Sequence, residues 1–275
     1  MSEKSESYKT ELRPLLDAVL AGNEQATLES YLLKNSNLPG PRANLELVSA
    51  FAELVAEIVI LPNPPVERLE NLLDGCADIS LQTAPVNHPR EILPAAAVRS
   101  YGKVAVARPD WWTDEIAKLR KAAANPRWRT REMVAAALQD MLESDWPRNM
   151  AEIKEWLATS KLLLCRAAVA AVAEPRLLLT VSRARNALEI QKQAIARLAD
   201  WPVEQRKEEE FKILRQALGY TLSVVVAALP EEGFVLLERL AALPDKDVRW
   251  VVRENLKKNR LSKWPDKLAQ VQKLV

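Results

Sequence analysis

Four short stretches of this chain place an arginine near the start of an apolar helical run. They are Trp128-Arg129-Thr130-Arg131-Glu132, Leu163-Leu164-Cys165-Arg166-Ala167, Lys212-Ile213-Leu214-Arg215-Gln216 and Trp250-Val251-Val252-Arg253-Glu254. A hydrophobic residue follows each arginine three places on, as Val134, Val169, Leu218 and Leu256. The arginines at 131, 166, 215 and 253 are separated by 35, 49 and 38 residues. Gaps of this size fit a repeat of two helices, and the long one implies an inserted helix near 176–206. A helix pair cannot bury its apolar face alone, so it stacks on its neighbours. The expected fold class is all-α: an α-solenoid of antiparallel helix pairs in a superhelix.

The hydrophobic pattern supports helices throughout, between 12 and 14 of them. In the first part they fall at 8–20, 24–34, from Asn44 to Val59, 66–74 and 91–105. Asn44 is suited to cap its helix. Between two of these lies Ser36-Asn37-Leu38-Pro39-Gly40-Pro41-Arg42, where prolines fix φ and Gly40 permits a positive one. Residues 75–90 read as irregular, closed by Asn87-His88-Pro89. From 109 the rhythm is regular, with helices at 112–124, 129–143, 148–158, 163–173, 176–199, 207–228, 232–242, 246–258 and 265–274. Trp-Pro occurs at 146, 201 and 264. Pro suits a first helical turn and pushes the preceding Trp out of the helical region, so each pair reads as a helix start. The domain reading is an acidic N-terminal helical part over 1–90, continuous with the repeats of 91–275.

Few glycines (6) and many prolines (17) agree with helices that stop sharply. The net charge of +2 is unevenly placed: residues 1–100 hold 8 basic and 14 acidic side chains, and 101–275 hold 31 and 23. Such a division fits a polyanion partner for the second part, or a solvated helical surface. Cys76 and Cys165 cannot build a disulfide framework and read as small buried hydrophobes of a reducing cytosol. The start, Met1-Ser2-Glu3-Lys4, has no signal-peptide pattern, and no apolar run, Val224–Leu229 included, approaches the roughly 18 residues of a membrane span. A cytoplasmic location without membrane attachment is the expectation.

An arginine near the start of a second, alanine-rich helix resembles HEAT repeats, which are armadillo-like. Asp245-Lys246-Asp247-Val248-Arg249 is similar to the HEAT turn of Asp followed by Val-Arg. The likeness covers about 91–275. A narrower likeness is to the AlkD-like DNA glycosylases, whose inner helices show Trp-x-x-Arg before alanines. Trp128 with Arg131 and Trp250 with Arg253 match it, and Arg166-Ala167-Ala168 matches the downstream part. That family also carries Trp-Trp-Asp, with a catalytic Asp four residues after a Trp. Here Trp111-Trp112-Thr113-Asp114-Glu115 places Glu115, not Asp, in that register. The resemblance implies DNA binding and excision of a cationic alkylated base, with Glu115 or Asp114 supplying the carboxylate.

Each candidate has two readings. Arg131, Arg166, Arg215 and Arg253 line a concave face and meet phosphates, or pair with acids on adjacent repeats and fix the stacking. Trp111, Trp112, Trp128 and Trp250 stack on bases, or anchor packing at helix starts. Glu115 and Asp114 stabilise an oxocarbenium-like charge, or simply complement a helix dipole. The basic residues at 249–267 form the densest cluster, and Arg183, Arg185, Lys192 and Arg197 extend it. A polyanion site and a helix C-terminus both suit them. One histidine, His88, gives no triad and no zinc spacing. No Gly-rich loop follows a strand. No metal and no cofactor are expected. The sequence therefore predicts a non-catalytic scaffold that holds a protein or nucleic acid on its concave face; the alternative is a DNA-repair protein.

Overall fold

The structure is a computed structural model, and it describes residues 3–275. The fold is all-α, with fourteen α-helices and no strand among the described residues. Two compact units divide the chain, Met1–Ser144 and Asp145–Val275. The division thus falls at the end of a helix near 144, whereas the sequence reading puts a change at 90.

The first unit contains α1 (Glu3–Ala21), α2 (Ala26–Lys34), α3 (Leu45–Val59), α4 (Val66–Ala77), α5 (Ile92–Ala107), α6 (Trp112–Ala122) and α7 (Trp128–Ser144). The odd helices pack in series, α1 on α3, α3 on α5, α5 on α7, and α4 and α6 lie against α5. Helix α5 is apolar on nearly every side because it is covered on nearly every side; Ile92 through Val98 are all buried. Its approach to α7 is closest at Gly102. A Cβ there would lie 2.5 Å from Ala137 Cβ and 2.6 Å from Ala137 Cα. Charge sits at the rim of this contact: Asp140 of α7 accepts ion pairs from Arg99 (2.6 Å) and Lys103 (3.0 Å) of α5.

Irregular residues between α4 and α5 are held by one buried arginine. Arg127, 2% exposed, donates to the carbonyls of Ile79, Ser80 and Ala84 at 2.7–2.8 Å. Carbonyls that lack helical partners thereby gain charge-assisted hydrogen bonds. His88 likewise serves structure: its Nδ1 accepts from the amide N–H of Arg90 and starts the short 3-10 turn Pro89–Glu91.

The second unit contains α8 (Trp146–Ala158), α9 (Leu162–Val172), α10 (Val181–Asp200), α11 (Glu209–Ala228), α12 (Pro230–Ala241), α13 (Lys246–Leu256) and α14 (Pro265–Gln272). Here α9, α11 and α13 pack in series. Helices α8 and α10 lie against α9, and α12 lies against α11, α13 and α14. The long helix α10, which widens the Arg166–Arg215 gap, packs against both α9 and α11. It starts at Val181 rather than 176, because Pro175–Leu177 form a 3-10 turn and Thr180 caps it. Buried amides tie neighbouring helices: Gln191 donates to Val169 O, Thr221 donates to Gln191, and Asn255 donates to Leu218 O while accepting from Ser223 N–H.

Helix α11 carries more apolar length than the run Val224–Leu229 suggests. Its 20 residues are long and apolar enough to cross a membrane, with mean hydropathy 1.2, yet 61% of that stretch is buried within the fold. Its apolarity is met by α9, α10 and α13.

Two local expectations change. The positive φ of the 36–42 connector belongs to Asn37 (60°), not to Gly40. Gly40 is required for space instead, since a Cβ there would meet Asn37 O at 2.6 Å. Trp146 and Trp264 do mark helix starts, but Trp201 ends α10. It is extended (ψ 136°), as a residue before proline prefers, and only a 3-10 turn follows. Asn44 caps α3 as expected, accepting from Leu47 N–H at 3.1 Å.

Gly102→Ala gains about 1 kcal/mol of helix propensity. It must also displace the Ala137 backbone, at a cost of about 1–3 kcal/mol. The expected net result is a less stable protein, read as a lower urea midpoint.

Candidate functional site

An open cleft of the first unit is built by three loop ends. Pro39, Gly40 and Pro41 come from the α2–α3 connector, Val86 and Asn87 from the segment before α5, and Trp128 and Arg129 from the start of α7. Its volume is about 500 Å³. Asn87 holds two walls together. Its backbone lies at φ 67°, a conformation that asparagine tolerates, and its Oδ1 accepts from Gly40 N–H at 3.0 Å. Its own N–H donates to Glu91 Oε2 at 2.7 Å.

Beneath lies an ion pair almost removed from water. Arg129 Nη1 donates to Glu91 Oε2 at 2.9 Å; the carboxylate side chain is 0% exposed and the guanidinium side chain 7%. Arg129 Nη2 donates to Gly40 O at 2.6 Å and to Asn87 Oδ1 at 3.2 Å. The same guanidinium lies 4.5 Å from the Trp128 ring centroid. Thus Arg129 is spent on fixing the floor and on orienting the indole, while Trp128 remains 45% exposed, as does Val86 at 49%. A rigid apolar face over a neutralised floor can take an aliphatic, aromatic or prolyl group.

A second, smaller cavity of about 200 Å³ is polar. Asp74, Asp78, Tyr101, Lys118 and Lys121 line it. Tyr101 Oη donates to Asp74 at 2.7 Å, and Lys118 lies 5.2 Å over the Tyr101 ring. Lys118 also reaches Asp74 and Glu115 at 3.4 Å each. Glu115 is 2% exposed, and burial, opposed by Lys118 and reinforced by Asp74 and Glu70, pushes its carboxyl up to about 7. Asp114 of the same helical turn is exposed.

The repeated arginines do unlike work. Arg131 is buried and donates to Asn125 O (2.7 Å) and Pro126 O (3.0 Å), bracing the turn before its own helix. Arg166 is buried at the start of α9. Arg215 pairs with Asp247 and lies 4.7 Å over Trp250, which also packs on Gly219. Arg253 is exposed. Trp111 and Trp112 are half-buried at the start of α6, with Arg108 stacked 4.3 Å from Trp111. Arg215 and Trp250 therefore meet within the second unit, as Trp128 and Arg129 do within the first. The acid–arginine links between successive odd helices fall at Arg13–Glu57, Arg99–Asp140 and Arg215–Asp247.

Sequence reasoning missed Arg129, Glu91 and Asn87. The run Trp128-Arg129-Thr130-Arg131 contains two arginines, and the repeat register selects the second. Asn87-His88-Pro89 signalled a turn but not its tie to Gly40, which lies 47 residues away. No protein-family model matches this chain, and no curated protein matches it in sequence.

A carboxyl raised in the folded state favours folding at low pH and loses that contribution as pH rises from its unfolded value near 4.5 through about 7. Glu115→Gln removes this titration. The variant should lose less stability between pH 5 and pH 8 than the parent does, as urea unfolding at the two pH values measures.

Proposed function

We propose that this chain is a non-catalytic binding protein of HEAT-like helical repeats, which holds a protein partner by a peptide segment seated in the Trp128 cleft. The observation that carries this is an exposed indole stacked against a guanidinium that is itself held in a buried pair with Glu91. An anchor fixed before binding loses little entropy on binding. Tryptophan is also among the side chains that dominate interface energies. The HEAT-like assignment draws support from the serial packing of odd helices within each unit. It also draws on Asp245, which caps α13 by accepting from the N–H groups of Asp247 and Val248.

Charge favours a peptide over nucleic acid at this cleft. Arg129 is neutralised by Glu91 and Arg90 faces Glu29, and the first unit holds 20 acidic against 16 basic residues. Base excision by Glu115 gains no support from its surroundings. Lys118 covers it, and Glu70 and Asp74 add negative charge where DNA phosphates would have to approach.

Selection of a displayed peptide library against the protein tests the reading. Enriched peptides should carry a prolyl, aromatic or branched aliphatic anchor. Their binding should weaken at least about tenfold in Trp128→Ala, the loss of one buried anchor at an interface. Absence of enrichment, or equal binding by Trp128→Ala, refutes it. A separate change, Arg129→Met, should destabilise folding by about 3 kcal/mol because it strands the Glu91 carboxylate.

A further inference from the structure

The second unit carries 23 basic and 17 acidic residues, and the excess is confined to its end. Residues 145–245 hold 14 of each sign, whereas 246–275 hold 9 basic and 3 acidic. Of those three acids, Asp247 is buried and committed to Arg206 and Arg215, and Glu254 faces Lys257.

The cations are also ordered in space. Lys246, Arg249, Arg253, Lys257 and Arg260 follow one another at steps of three, four, four and three residues. Such steps place Lys246, Arg249, Arg253 and Lys257 on one face of α13 and its C-cap, while Arg260 stands in the 3-10 turn that follows. Val248, Val251, Val252 and Leu256 occupy the buried face of α13. Lys246, Arg253, Lys257 and Arg260 are exposed, and Arg249 is half-buried with its Nη2 donating to Leu274 O. The helix of 11 residues is about 17 Å long at 1.5 Å per residue.

Helix chemistry alone does not account for this stripe. Cations suit a helix C-terminus, which explains Lys257. Lys246 and Arg249 sit in the first turn of α13, where the dipole opposes them. No ion pair forms at Lys246, Arg253 or Arg260 among the described residues. Three of the five cations, Lys246, Arg253 and Arg260, thus stand without an ion-pair partner, one at each end of α13 and one in the turn that follows it.

We propose that the exposed face of α13 and the turn that follows it bind the phosphate backbone of a nucleic acid duplex, independently of the Trp128 cleft and without reading sequence. Phosphates along one strand recur at about 3.4 Å of helix axis, so the stripe spans about five of them. Exposed cations on long side chains suit backbone contact rather than base readout. An anionic membrane is the poorer fit. No large apolar side chain between 246 and 263 is exposed, so nothing there enters an acyl layer.

The test is fluorescence anisotropy of a labelled 20-base-pair duplex from 50 to 300 mM KCl. The parent should bind at 50 mM, and its affinity should fall with salt on a log–log slope of about −3 to −4. The triple change R253E/K257E/R260E should weaken binding at least about tenfold and flatten the slope by about 3. K154E/K161E/K207E makes the same change in net charge at exposed sites off the stripe, and should stay within about threefold of the parent. If the glutamate triple does not fold by circular dichroism, R253Q/K257Q/R260Q replaces it with the same expectation. Failure of the parent to bind overturns the proposal, as does equal loss in the two triples. Binding to phosphatidylserine vesicles that depends on the stripe, with no duplex binding, overturns it in favour of a membrane. Because Trp128→Ala should leave duplex binding unchanged, failure of the peptide reading and failure of this one are separable.

Discussion

The first unit depends on how near two helices can come. At Gly102 the backbones of α5 and α7 approach so closely that no β-carbon fits between them. Small residues line this contact on both sides, and α5 is consequently buried around most of its circumference. Charge within so enclosed a helix must be paired. Arg99 and Lys103, in its middle and later turns, both converge on Asp140, which is also half of the link to α7. The second unit meets the same demand differently. Its central helix α11 is apolar over its later turns, and buried amides on α10 and α13 supply hydrogen bonds that specify register. Such groups are costly if left unmade, so they discriminate against slipped packings.

Buried arginine is the second recurrent device. Arg127 gathers three carbonyls of a segment that has no helix of its own, and Arg129 fastens two loops to the start of α7. Each replaces secondary structure with side-chain donors at places where the chain must turn. The cleft at Trp128 is a by-product of that fastening: the loops it fixes become walls, and the residue adjacent to the fastener becomes the exposed anchor. The exposed indole and the structural ligature are in this sense one construction.

Charge is divided with similar economy. Acidic side chains gather around Lys118 in the first unit, while the surplus cations of the second lie along α13. The two surfaces differ in chemistry, an exposed indole over a neutralised ion pair at one and a row of cations at the other.

The sequence by itself determined the helices. Apolar spacing, Asn44 and Asp245 as caps, and prolines after helix ends are local signals, and the fourteen helices lie close to where those signals put them. The arginine repeat was also legible, as was the burial of Cys76 and Cys165. What each arginine does was not. Arg131 and Arg253 share the Trp-x-x-Arg spacing, yet Arg131 stands in the first turn of α7, buried against its own turn, and Arg253 in the last turn of α13, exposed. The pairing of Arg129 with Glu91, and of Arg129 with the loop carbonyl of Gly40, joins residues 38 and 89 positions apart, and no local pattern encodes such distances. Helix formation is decided within a few turns of chain; the cleft, the ion pairs and the raised carboxyl of Glu115 arise only when distant segments exclude water together, so only the tertiary structure could decide them.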